Sequence, residues 1–92
     1  ICRISWEKKS SEIVNLIRGL SPIPGAYFIY NDKSYKVFRA KECEVNLRIG
    51  EVQYGKGEVL VGAKDGCVSI LEIQPEGRKR MSIDDFLRGY KL

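Results

Sequence analysis

The chain has 92 residues, 16 Lys and Arg against 12 Asp and Glu for a formal charge of +4, three cysteines and no histidine. This length predicts one domain, 1–92, with a modest core and little room for a deep enclosed active site. The missing histidine removes the commonest general base, the Cys-His and Ser-His nucleophile pairs and every imidazole metal site. No apolar run approaches the roughly 20 residues that span a bilayer, and no basic segment followed by an apolar one opens the chain. A cytoplasmic location without membrane contact is the resulting expectation.

The chain starts at Ile1 and not at Met, which suggests a processed or excised piece of something longer. Residues 10–20 predict a helix, because Ile13, Leu16, Ile17 and Leu20 form one apolar stripe while Glu12, Asn15 and Arg18 face away. Ser10 or Ser11 is placed to cap its start, Gly19 to end it, and Trp6 to lie over its stripe. Pro22 and Pro24 push Ser21 and Ile23 toward extended backbone, so 21–25 reads as a stiff connector. Residues 26–30 and 34–40 predict a hairpin around Asn31, Asp32 and Lys33, and 58–63 and 67–73 a second one around Lys64, Asp65 and Gly66, with Gly66 at positive φ. Residues 42–47 and 50–53 read as two shorter strands between the pairs. Ser82 and Asp85 resemble a capping box opening a last helix that Gly89 closes. Six short strands at this spacing favour a small barrel or sandwich.

The expected core joins Val59, Val61, Val68, Ile70 and Ile73 to Phe28 and Val37, with Ile13 and Ile17 over one opening. Val68 and Ile70 alternate in one phase and Leu71 and Ile73 in the other, which predicts a bulge or a strand buried on both faces near Ile70 and Leu71.

Candidates for chemistry are few. Cys2, Cys43 and Cys67 are an odd, widely spaced set without Cys-x-x-Cys, so three small buried thiols in a reducing compartment are expected, not a disulfide framework or a metal knuckle. Asp84 and Asp85 suit a helix N-terminus, and Glu42 and Glu44 a solvated strand face. Gly55 and Gly57 lack the third glycine of a dinucleotide loop. No catalytic or metal-binding residue is therefore named. The cations are more informative. Arg78, Lys79 and Arg80 are the densest group, and Lys33, Lys36, Arg39 and Lys41 run along the first hairpin, interleaved with Tyr35 and Phe38. A small barrel with basic strands and exposed aromatics is a platform on which phosphates give affinity without sequence reading.

Ile4-Ser5-Trp6, Ile17-Arg18-Gly19-Leu20 with Pro22-Ile23-Pro24-Gly25-Ala26-Tyr27, Lys36-Val37-Phe38-Arg39-Ala40, and the stretch from Leu71 to Met81 leading into Phe86-Leu87-Arg88-Gly89 occur in order. Together they resemble the C-terminal domain of methionyl-tRNA formyltransferases, over essentially the whole chain. The resemblance implies a mainly β fold, an open Greek-key β-barrel similar to an OB fold with an N-terminal helix and a short C-terminal helix. It implies a non-catalytic domain that holds initiator methionyl-tRNA by its phosphate backbone for an N-terminal catalytic domain, in translation initiation. The formyl donor of such enzymes, 10-formyltetrahydrofolate, and their Asn, His and Asp belong to that other domain, so this chain is expected to carry no cofactor. By motif, the tRNA-binding candidates are Arg18, Lys36, Arg39, Arg78, Lys79 and Arg80. The family favours Lys-Lys and a small residue where this chain has Arg78-Lys79-Arg80, and Glu72 and Glu76 would weaken that group locally. The alternative is a bracing module of another formyl-group enzyme, a folate dehydrogenase or a sugar-nucleotide formyltransferase, that touches no RNA.

Overall fold

A computed structural model of the chain describes residues 2–90. Its elements are β1 (Cys2–Arg3), α1 (Ser10–Leu20), β2 (Ala26–Tyr30), β3 (Lys33–Cys43), β4 (Val52–Gly55), β5 (Glu58–Ala63), β6 (Gly66–Pro75), β7 (Met81–Ser82) and α2 (Ile83–Gly89). The strands form one sheet in the order β1-β2-β3-β6-β5-β4, with β7 on β6. Strands β4, β5 and β6 follow one another as hairpins, and β3, joined to β4 by the long connection 44–51, returns beside β6. That order is a Greek key. The outer strands β1 and β4 are not paired to each other, so the barrel-like sheet stays open, mainly β with a helix near each end, as expected.

The inward residues are those the alternation singled out. Val37, Val59, Val61, Val68, Ile70 and Ile73 are fully enclosed with Phe28, while Ile13 and Ile17 of α1 and Ile83 and Phe86 of α2 join the same cluster. Val14 is buried on α1 and Leu16 only half-buried, a small rotation of the expected stripe. Trp6, expected over that stripe, meets Phe28 of β2 edge-on at 5.6 Å.

Strands β3 and β6 carry the register detail on which the surface depends. Val37 pairs with Ile73, Arg39 with Glu72 and Ala40 with Ile70. Phe38 is thus an extra residue on β3, and Leu71 an extra residue on β6. Each single-residue bulge flips the faces of its own strand, and together they restore the register. The core therefore receives residues three apart on both strands, Val37 and Ala40, Ile73 and Ile70, while Arg39 and Glu72 face each other outside. The bulge expected near Leu71 is present. Its counterpart at Phe38 had no separate signal.

Other local expectations are corrected. Residues 42–47 do not form a strand of their own: Glu42 and Cys43 end the 11-residue β3, and the chain then arches over β5. Gly62 lets it do so, since a Cβ there would lie 1.9 Å from the Arg48 carbonyl oxygen. The Gly62 N–H donates to Glu51 O, and the Gly50 N–H to Gly62 O, each at 2.9 Å. The first hairpin turns on Asn31 and Asp32 alone, both at positive φ, with Lys33 already paired to Tyr30. Gly66 is a strand residue paired with Ala63, and its φ is not positive. Cys43 and Cys67 face each other across β3 and β6 with Cα atoms 5.0 Å apart and are joined as a disulfide, which replaces the expectation of three free thiols; Cys2 is free.

Neither serine caps α1. Lys9 is the N-cap residue, and the Glu12 carboxylate accepts its N–H at 3.2 Å. Asp65, in the turn between β5 and β6, accepts the Ser10 N–H at 2.8 Å. The helix runs past Gly19 to Leu20, where the Ser21 hydroxyl donates to Phe38 O at 2.8 Å, tying the connector to β3. Ser21 is extended as expected, and the peptide bonds to Pro22 and Pro24 are both cis. Ser82 caps α2 by accepting the Asp85 N–H, and that helix ends at Gly89 as expected.

The hydrogen bond from the Ser10 backbone holds the Asp65 carboxyl below the usual aspartate range. A depressed pKa in the folded state gives stability that is present above the unfolded value, about 3.9, and lost as pH falls through the folded value. Asp65→Asn is therefore expected to lower the Tm by a constant amount from pH 5 to 8, and the gap to shrink below about pH 4. A gap unchanged at pH 2 would mean that the carboxylate charge is not what the helix uses. Gly62→Ala is expected to cost about 1–3 kcal/mol in denaturant unfolding, through displacement of the 44–51 arch. Unchanged stability would show that the arch shifts freely.

Candidate nucleic-acid interface

The outer face of β3 beside the connector 21–25 gathers most of the candidate cations. Lys36 lies opposite Gln74 and is exposed; Arg39 lies opposite Glu72. Arg80, just before β7, reaches back across β6 and donates from Nε to Glu72 Oε1 at 2.9 Å, with Nη2 on the same oxygen. Its guanidinium covers the Phe38 ring, 4.5 Å from the centroid. The bulge makes this possible by turning Phe38 out of the core cluster, where Arg80 keeps it 6% exposed. An arginine on an aromatic face is held in place as well as attracted.

Glu72 Oε2 is 3.6 Å from Arg39 Nη1, so one carboxylate serves two arginines. Arg39 nevertheless keeps 64% of its side chain in water. Next to it a groove of about 230 Å³ is lined by Arg18 and Arg39 at its rim and by Val14, Ile17, Ala40 and Leu71 below. Gly25, at φ +85°, brings the connector against Lys36 Cδ and Phe38 Cε1, each 3.7 Å from where its Cβ would stand. Arg18, Lys36, Arg39 and Arg80 therefore border one continuous surface. Its charge is four cations against the Glu72 carboxylate.

Arg78 does not join them. It turns the other way, over the Tyr90 ring at 5.7 Å, toward α2. Lys79 is exposed between the two directions. The run Arg78-Lys79-Arg80 is thus dense in sequence and divided in space, because it lies in the irregular segment between β6 and β7, where no strand periodicity brings residues two apart to one face. Of the two glutamates expected beside this group, Glu72 pairs with Arg39 and Arg80. Glu76 instead accepts the Ser34 N–H at 3.0 Å and closes the end of β3. Nor are the interleaved aromatics an open stacking platform, since Tyr35 is 4% exposed and Phe38 is covered.

The carboxylates weighed as candidates have structural surroundings among the described residues. Glu42 accepts the Ser10 hydroxyl, and Asp84 and Asp85 occupy the first turn of α2. Among the described residues no three His, Cys, Asp or Glu side chains form a group suited to a metal ion. The arrangement can bind anions by charge and by guanidinium hydrogen bonds.

The family described as formyl transferase, C-terminal domain, matches residues 1–91. The chain belongs to that family. It is 46% identical over 92 residues to a methionyl-tRNA formyltransferase of Syntrophus aciditrophicus, covering 97% of this chain and 30% of that protein. A second methionyl-tRNA formyltransferase, from Thermodesulfovibrio yellowstonii, is 37% identical over 90 residues, covering 98% of this chain and 29% of that protein. The chain thus spans less than a third of the length of the relatives it matches. Its fold is similar to part of HypX from Aquifex aeolicus, solved in complex with tetrahydrofolic acid. That match has a TM-score of 0.73 and 24% identity, and covers 97% of this chain and 17% of HypX. No helix of the described residues is long and apolar enough to cross a membrane.

Proposed function

We propose that this domain is the non-catalytic tRNA-holding part of a methionyl-tRNA formyltransferase, with the outer face of β3 on the phosphate backbone. The observation that carries the reading is the surface of Arg18, Lys36, Arg39 and Arg80, in a chain whose relatives at 46% and 37% identity are methionyl-tRNA formyltransferases. Phosphate contacts position a polyanion without reading its sequence, and guanidinium groups suit that task. The domain would act in the cytoplasm, where translation initiation takes place and where reducing conditions favour the dithiol form of Cys43 and Cys67.

Formyl transfer from 10-formyltetrahydrofolate to the methionyl amine belongs, in this reading, to an N-terminal catalytic domain. This chain has no histidine to serve as base, and none of its residues is given a role toward the formyl donor. What it adds is a second contact. Anchoring a large polyanion at a diffuse basic surface raises the local concentration of its reactive end at the catalytic domain.

A bracing role without RNA is favoured by one observation, the engagement of both Arg39 and Arg80 by Glu72. The two readings separate in a salt titration of tRNA binding. With three to five phosphates neutralised, affinity is expected to fall about a hundredfold between 50 and 200 mM salt, about equally for all tRNAs. Replacing Lys36, Arg39 and Arg80 together by Ala is expected to reduce the slope of log K against log salt by up to about three units. Glu72→Gln, which frees two arginines without adding bulk, is expected to strengthen binding several-fold and steepen the slope by about one unit. Salt-independent binding, or no response to either variant, would favour the bracing role.

A further inference from the structure

A second pocket of about 230 Å³, lined by none of Arg18, Lys36, Arg39 and Arg80, is left unused by this reading. It lies between the start of β3, the end of β6 and α2, and its lining includes Lys33, Tyr35, Arg78, Phe86 and Tyr90. Aromatic packing fixes its walls. Tyr35 stacks on Phe28 at 5.4 Å and meets Phe86 edge-on at 6.1 Å, while Tyr90 stacks on Phe86 at 5.6 Å. The turn carrying Arg78 is fixed too: the Arg78 N–H donates to Pro75 O at 3.0 Å, and Gln74 Nε2 donates to Arg78 O at 2.8 Å.

Tyr35 is 96% buried and lines the pocket, and because no buried side-chain polar atom among the described residues lacks a partner, its hydroxyl, which bonds to none of them, is open to solvent there. A phenol placed in this way anchors its ring in the core and presents its hydroxyl, as donor or acceptor, to whatever enters the pocket. Lys33 and Arg78 stand at the rim, and Glu76, the acidic residue of the lining, already accepts the Ser34 N–H. We infer that this pocket binds a phosphate monoester carrying an aromatic body. The phosphate would lie between Lys33, Arg78 and the Tyr35 hydroxyl, and the ring against the edge of the stacked Phe86 and Tyr90 pair. Burial raises the Tyr35 pKa above its ordinary value, so the hydroxyl keeps its proton and remains a donor at neutral pH. Arg78 adds a bidentate fork and the planar face that aromatic ligands favour.

The inference does not rest on the RNA reading, because none of Arg18, Lys36, Arg39 and Arg80 lines this pocket. The test is an NMR titration of the 92-residue chain with adenosine 5′-monophosphate, adenosine and inorganic phosphate as separate probes. The monophosphate is expected to shift amides at 33–35, 76–78 and 86–90, and to bind more tightly than either fragment. Tyr35→Phe, which keeps the ring in the core, and Arg78→Met are each expected to weaken it about tenfold while leaving the Tm nearly unchanged. The Lys36, Arg39 and Arg80 triple variant should bind it normally. A 5′-phosphorylated oligoribonucleotide that competes, where its unphosphorylated form does not, would support the site and give an RNA end as its source. Failure of both to compete, with the monophosphate still bound, would support it for a free metabolite. Shifts confined to the outer face of β3, or equal binding by Tyr35→Phe, would overturn it.

Discussion

The pairing of β3 with β6 is the constraint on which the rest of the structure depends. It joins segments more than 20 residues apart, closes the Greek key and contains two opposed bulges, Phe38 on one strand and Leu71 on the other. Either bulge alone would turn the remainder of its strand inside out, placing a cation in the core or a core aliphatic in water. Occurring together, they leave the core unbroken and move two bulky residues and one ion pair to the outer surface. At the Phe38 bulge the end of α1 is tied to β3 through Ser21, and at one end of the pairing Cys43 meets Cys67.

The proposed RNA face follows from this register. Phe38, no longer a core residue, becomes the floor for Arg80, and Arg39 stands opposite Glu72 in place of an aliphatic neighbour. A carboxylate among four cations has two effects. It spaces and orders the guanidinium groups, and it would compete with any incoming phosphate, keeping the proposed binding weak and sensitive to salt. Weak, sequence-tolerant binding would suit the proposed role, in which a substrate is held and must leave after each turnover.

Much of this was legible in the sequence, and the failures share one physical cause. The period-two runs in β5 and β6, the 3.6-residue stripe of α1 and the phase change at Leu71 are local patterns, and each formed as expected but for the small rotation of α1 that buries Val14 in place of Leu16. What escaped was set by partners distant in sequence. The alternation in 44–47 imitates a strand but has no sheet edge to join, and the informative residue was Gly62, a glycine inside a strand, which marks close backbone approach. The start of α1 escaped in the same way, since Asp65 lies 55 residues from the N–H that it accepts, whereas the caps of α2, set by neighbours in sequence, formed as expected. Wide separation and an odd count concealed the Cys43 and Cys67 pair. Among the candidate cations, adjacency misled: Arg78 and Arg80 are two residues apart and face different sites, whereas Arg18, Arg39 and Arg80 come together from three separate segments.

The most direct test of the account is residue-resolved mapping of RNA on the folded chain, by adding an acceptor-stem RNA to the isotopically labelled protein and following its backbone amides. The account expects the largest shifts in 36–41 of β3, at Arg18 and around Arg80, with the free edges β1 and β4 nearly silent. Shifts concentrated on those edges, with β3 unaffected, would contradict it.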